Sequence, residues 1–159
     1  RERLSPGGLA RRRRNVWPSR AAAYAHFIAK PIFQAWAPGA LDDYLDHGLT
    51  PHPDGVQLRF DRDVEAAIYS TLPHDMERAL RGPFPVPVGF IAGTDSAELR
   101  QAGLDATRRL VGDNIVTIEG THLYPMEKPQ LTAQLTREMI ARLLSQAEEK
   151  AGRPAALFA

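Results

Sequence analysis

"VPVGFIAG", Val86 to Gly93, is an almost unbroken apolar run that stops on a glycine, and further along "NIVTIEG", Asn114 to Gly120, repeats the form. Short continuous runs of this kind are expected of strands buried on both faces of a parallel sheet, because alternation develops only where one face meets water. Between them, "SAELRQAGLDATRRLVG" puts Leu99, Ala102, Ala106 and Leu110 on one helical face and ends at Gly112, a natural C-terminal glycine. Parallel strands need a crossover connection, so strand, helix and strand together predict a βαβ unit. Beyond it, "PQLTAQLTREMIARLLSQAEEK" predicts a long amphipathic helix using Leu131, Leu135, Met139, Ile140 and Leu143.

Upstream of Pro83 the pattern is different. "WPSRAAAYAHFIAKPIFQAW" opens at Ser19, an N-cap or first-turn residue, with Ala23, Phe27 and Ile28 at helical spacing until Pro31 breaks it. "PGALDDYLDHGL" predicts a second short helix with Leu41, Tyr44 and Leu45 on one side and Gly48 as its C-cap. "DGVQLRF" reads as a turn and a short strand, and "DVEAAIYSTL" as a further amphipathic helix. The expected organisation is a basic lead-in over 1–15, small aromatic-rich helices over 16–82, the βαβ unit with its long helix over 83–150, and a tail over 151–159. The run Arg11 to Arg14 reads as a solvated helix face or linker, since the aromatic interleaving that stacks bases is missing.

Composition narrows the classes. At 159 residues, 43% hydrophobic and 25% charged, the chain can bury a core, and its 20 basic and 19 acidic residues cancel almost completely. No overall field favours a nucleic acid or an anionic membrane, and no apolar run approaches the roughly 18 residues of a membrane span. There are no cysteines, hence no disulfides and no thiolate metal sites. His26, His47, His52 and His74 share no metal-ligand spacing, so no metal is expected. The compartment stays open, with the cytoplasm the default. The first residue is Arg1, which suggests a processed chain or a piece of a longer one.

In open parallel sheets, chemistry gathers beyond the carboxyl ends of the strands. "GTDSAE" and "GTHLYP" both leave their strands at that edge, which sets an acid-bearing loop beside His122. A carboxylate that accepts a hydrogen bond from imidazole fixes its tautomer and stabilises the imidazolium formed when it takes a proton. Asp95 is slightly preferred, because it lies nearer the strand end where a side chain is held most rigidly; Glu98 has the longer reach. Each has a plainer use, Asp95 as a helix cap and Glu98 as a partner of the helix's positive end. His122 itself could be a loop histidine without chemistry, and Glu127 reads as a helix-start or solvated residue. The aromatic side chains Tyr24, Phe27, Phe33 and Trp36 fit either packing or a substrate wall.

With these residues in place, the chain resembles the α/β-hydrolase family. "EGTHLYPMEKP" resembles that fold's catalytic-histidine loop, the preceding βαβ unit and following helix resemble its last two strands and C-terminal helix, and the first half is similar to its helical cap. The likeness runs from about Val16 to Gln146. Acid before histidine is also the order of that family, whose nucleophile precedes both. The resemblance implies an α/β fold, the C-terminal part of a hydrolase with a helical cap followed by a βαβ unit and a C-terminal helix. It further implies His122 as general base, Asp95 or Glu98 as its acid, and an aromatic cap over a small apolar ester or amide substrate, with no cofactor. Two departures stand out. No serine has the Gly-x-Ser-x-Gly surroundings of the family's nucleophile, and the place three residues after Gly93, where many relatives carry the acid, is Ser96. The serine is therefore expected from a missing N-terminal half, or the chain self-associates. The alternatives are a non-catalytic binding module that kept the fold and a small helical nucleic-acid binder using the arginine run.

Overall fold

The computed structural model describes residues 6–71, 78, 84–102, 104–150 and 152, apart from the side chains of 100–102 and 150. The chain divides into two units, Arg1–His74 and Asp75–Ala159. The boundary expected between 82 and 83 lies outside the described residues, as does nearly all of the tail.

In the first unit, α1 (Pro6–Arg12) covers part of the basic lead-in and is followed by β1 (Val16–Trp17). Ser19 then caps α2 (Arg20–Ile28), its hydroxyl accepting from the Ala22 N–H at 3.1 Å. Pro31 stops that helix and opens α3 (Pro31–Gln34), where a missing N–H costs nothing. The helix α4 (Ala40–Gly48) carries Leu41 and Leu45 into the core. Gly48 is its last helical residue and not the cap. Leu49 takes that place in an extended conformation, because the chain runs directly into β2 (Leu49–His52) without a left-handed turn. β3 (Gly55–Leu58) follows, and α5 (Arg62–Ser70) is capped by Asp61, which accepts from the N–H groups of Asp63 and Val64.

The three strands form an antiparallel sheet in the order β1-β3-β2, of which only β3 was legible in the sequence. β1 has two residues, and β2 contains Pro51, tolerable because β2 is an edge strand. Trp17, Ala23, Phe27, Leu41, Leu45, Leu49 and Leu58 form the core, joining both helices to the sheet.

The second unit contains β4 (Phe90–Gly93), α6 (Ala97–Ala102), α7 (Asp105–Val111), β5 (Ile115–Ile118), α8 (Tyr124–Glu127) and α9 (Pro129–Lys150). β4 and β5 pair in parallel, from Phe90 opposite Ile115 to Gly93 opposite Ile118, with the two helices as crossover. β4 is shorter than the apolar run that announced it. Val86 is 63% exposed, and the prolines at 85 and 87 remove the N–H groups a strand would donate there. The crossover, expected as one helix, is two: α6 ends at Ala102 and α7 starts at Asp105, with Gly112 closing it at φ 56°. Nor are the strands buried on both faces. Ala92 and Ile118 are buried, but Phe90, Ile91, Ile115 and Val116 are half-buried and Thr117 is exposed.

The long helix α9 turns Met139 inward, with Leu135 and Leu143 half-buried, while Leu131 and Ile140 stand exposed. Its approach to the start of β4 is close: a Cβ on Gly89 would lie 2.5 Å from the Met139 sulfur. Asn114 and Gln146 exchange amide hydrogen bonds at 2.9 and 3.1 Å, tying the start of β5 to α9. No helix among the described residues is long and apolar enough to cross a membrane.

Candidate functional site

The two loops that leave β4 and β5 at their carboxyl ends are joined backbone to backbone. Thr94 donates its N–H to the Ile118 carbonyl at 2.9 Å, and Asp95 donates to Gly120 at 2.8 Å. Gly93 is needed for this approach, because a Cβ there would collide with the Thr121 carbonyl oxygen and stand 2.7 Å from that of Gly120. The acid loop and the histidine loop are thus held in contact before any side chain is considered.

Ser96 comes next, 5% exposed, and its hydroxyl accepts from the Leu99 N–H at 3.1 Å. It is the N-cap of α6. The same hydroxyl donates to Glu98 Oε2 at 3.2 Å, and that oxygen lies 2.8 Å from His122 Nδ1. Ser96, Glu98 and His122 therefore form one chain of contacts at the edge of the parallel pair. Glu98 sits in the first turn of α6, where a carboxylate is favoured by the helix dipole. The His122 and Glu98 side chains are 45% and 60% exposed, so the pair faces solvent.

A carboxylate accepting at Nδ1 requires the proton there in neutral imidazole, and Nε2 is left as an acceptor. That is the arrangement a general base needs. Alongside runs a cavity of about 400 Å3 whose wall includes Glu98 and His122, with Phe90, Ile91, Leu99 and Tyr124 supplying apolar surface. The Tyr124 hydroxyl donates to the Ile91 carbonyl at 3.2 Å, and burial raises its pKa, so the ring is fixed against β4 as a neutral phenol.

Of the two acids named from the sequence, Glu98 reaches His122. The Asp95 carboxylate is exposed and meets no described side chain; the residue contributes its backbone N–H to the histidine loop. Of the aromatic residues, Phe27 is 2% exposed at the centre of the first unit's core. Tyr24, Phe33 and Trp36 are half-buried around it, with Phe27 and Phe33 edge to face at 4.9 Å. No group of three or more histidine, aspartate or glutamate side chains among the described residues could hold a metal ion.

Glu127 was not read from the sequence as part of this site. It curls back from α8 so that Oε2 accepts the Thr121 N–H at 3.1 Å and Oε1 accepts the Thr121 hydroxyl. That hydroxyl in turn accepts the Leu123 N–H at 3.0 Å. Gly120, at φ 146°, passes so close that a Cβ would lie 2.5 Å from Glu127 Oε2. No familiar spacing announces this contact, since a six-residue separation matches neither a helical pair nor a capping box. The single turn of α8 is what brings the carboxylate round.

Around this parallel strand pair and its crossover, comparison with solved structures shows the α/β-hydrolase fold. The chain is similar to the crystal structure of E-2-(acetamidomethylene)succinate hydrolase, with a TM-score of 0.68 and 21% identity over 79% of this chain and 47% of that one. It spans about half the length of that hydrolase. No family model matches the sequence, and no curated protein matches it either.

Proposed function

We propose that this chain is the C-terminal portion of an α/β-hydrolase, supplying His122 as general base and Glu98 as the acid that orients it. The observation that carries the reading is the 2.8 Å contact between His122 Nδ1 and Glu98 Oε2 at the carboxyl edge of β4 and β5. In this reading a serine hydroxyl, from a Gly-x-Ser-x-Gly segment that this sequence lacks, attacks the substrate carbonyl and passes its proton to His122 Nε2. Glu98 stabilises the resulting imidazolium, which returns the proton to the leaving group as the acyl-enzyme forms. The reaction needs no cofactor. The apolar wall of the cavity suits a small, neutral ester or amide. Residues 16–82 serve as the cap, where Tyr24, Phe33 and Trp36 form a substrate wall that Phe27 supports from the core.

The acid is assigned to Glu98 over Asp95 because a longer side chain, started from the first turn of α6, spans the distance to the imidazole. Kinetics of the chain joined to an N-terminal hydrolase half bearing the nucleophile test both roles. His122→Ala should lower kcat by several orders of magnitude, as removal of a triad histidine has cost about 10⁶ in a serine protease. Glu98→Gln should cost up to about 10⁴ through the wrong tautomer, and Asp95→Asn little. Retention of more than about a tenth of kcat by His122→Ala, a cost of only ~1.4 kcal/mol, would sink the reading. The absence of the nucleophile motif favours one other reading, a binding module that kept this fold without its chemistry; equal and negligible effects of all three substitutions would support it.

A further inference from the structure

We infer that Glu127 is a positioning residue for the site, the brace that holds the histidine loop so that His122 meets Glu98; this rests on the reading of His122 and Glu98 as a working pair. Three observations converge on it. First, the half-buried Glu127 carboxylate uses both oxygens on one residue, Thr121, taking its N–H and its hydroxyl. Thr121 is the residue directly before His122. Second, the Thr121 hydroxyl passes the constraint across the histidine by accepting from Leu123, so the backbone on both sides of His122 is tied to one carboxylate. Third, Gly120 has no side chain where one would strike Glu127, and Gly93 none where one would strike Thr121. Both openings serve the same contact network.

The physical need for such a brace follows from the exposure of the pair. His122 and Glu98 are 45% and 60% exposed, and even a fully charged solvent-exposed pair by itself holds a side chain with no more than about 1 kcal/mol. Little in the histidine's own surroundings therefore fixes its direction. The rigidity has to come from the backbone beneath it. Charge-assisted hydrogen bonds donated to a partly buried carboxylate are the stronger kind, and here the donor is the residue next to the imidazole. Glu127 touches neither the substrate cavity nor the imidazole in any described contact, so its effect on chemistry passes through His122.

The readout is the tautomer of His122, which the hydrogen bond at Nδ1 determines and nitrogen-15 NMR of the imidazole reports. In the 159-residue chain at a pH where the imidazole is neutral, wild type should carry its proton on Nδ1. Glu127→Ala should shift His122 toward the Nε2–H form of an unconstrained histidine, and Thr121→Val, which removes the hydroxyl contact to Glu127 Oε1 but keeps the backbone N–H on Oε2, should shift it part of the way. Glu127→Gln, whose amide oxygen can still accept from Thr121, should retain more of the Nδ1–H form than Glu127→Ala. Near-UV circular dichroism identifies any variant that has lost its packing, and Thr121→Val decides the matter if Glu127→Ala is one of these. An Nδ1–H tautomer kept in both well-folded variants overturns the brace while leaving the pair intact. An Nε2–H tautomer in the wild type overturns the pair, and the brace with it.

Discussion

Ser96 occupies the place, three residues beyond the strand-ending glycine, where the family resemblance led one to look for an acid. It is buried, caps α6 and hydrogen-bonds to Glu98, so the carboxylate arrives from one helical turn instead of from the strand end. The sequence offered Asp95 and Glu98 as alternatives because both lie within reach of a loop whose path is not written in local pattern. A second residue-scale feature concerns His26, whose ring lies 5.4 Å from that of Trp17 and at the same distance, edge to face, from Phe27. Burial, and then the positive charges of Lys30 and Arg14, lower its pKa. A histidine whose folded pKa is depressed contributes stability that is complete above the unfolded value of about 6.5 and is lost as the pH falls through the folded one. The melting temperature should therefore drop between pH 7 and pH 5 by more in the wild type than in His26→Phe, which keeps a ring in the same place. Equal drops would show that other groups carry the acid sensitivity.

Elements with a local signal were legible, a helix with a chemical start among them. Ser19 before an apolar periodicity announced α2, and the structure has it capping that helix. Replacing Ser19 by alanine should cost about 1 kcal/mol in chemical denaturation, with no change in the His122 tautomer. A loss below a few tenths would mean that the packing of Phe27 and Ala23 sustains the helix turn without the cap. The short strands β1 and β2 were illegible because they are made by pairing. Val16 and Trp17 have no alternation to display, and Leu49 to His52 contain a proline; both become strands only because β3 stands between them. The broken crossover is the opposite case. Its apolar periodicity ran through the whole segment, but α6 ends at Ala102 and α7 starts at Asp105 with an acid in its first turn.

At the scale of the molecule, β4 and β5 form a two-stranded parallel sheet with half-buried faces, and Phe84, Val86, Leu131, Ile140 and Leu144 are exposed apolar side chains in the same unit. Unpaired strand edges and uncovered apolar surface both favour association. In the proposed reading, the rest of a hydrolase sheet covers them. The chain alone should therefore self-associate in light scattering at micromolar concentration, and should hydrolyse p-nitrophenyl acetate no faster than free imidazole. Supplying the N-terminal half should reverse both. A monodisperse monomer with serine-dependent burst kinetics would contradict the expectation and would place a nucleophile among the serines of this sequence.

The sequence by itself determined the elements that carry their own signal: the βαβ order, the capped helices, the long C-terminal helix, and the position of His122 just beyond a parallel strand. These follow from periodicity, caps and glycine, which act over a few residues. Tertiary structure alone decided which carboxylate meets the imidazole, that Glu127 turns back onto Thr121, and that two brief segments complete a sheet around β3. Each of these depends on the distance between groups far apart in pattern, fixed only when Gly93 allows the two loops to touch and α8 completes its one turn. Local preferences choose the conformation of a segment, whereas the meeting of side chains is chosen by how the segments pack.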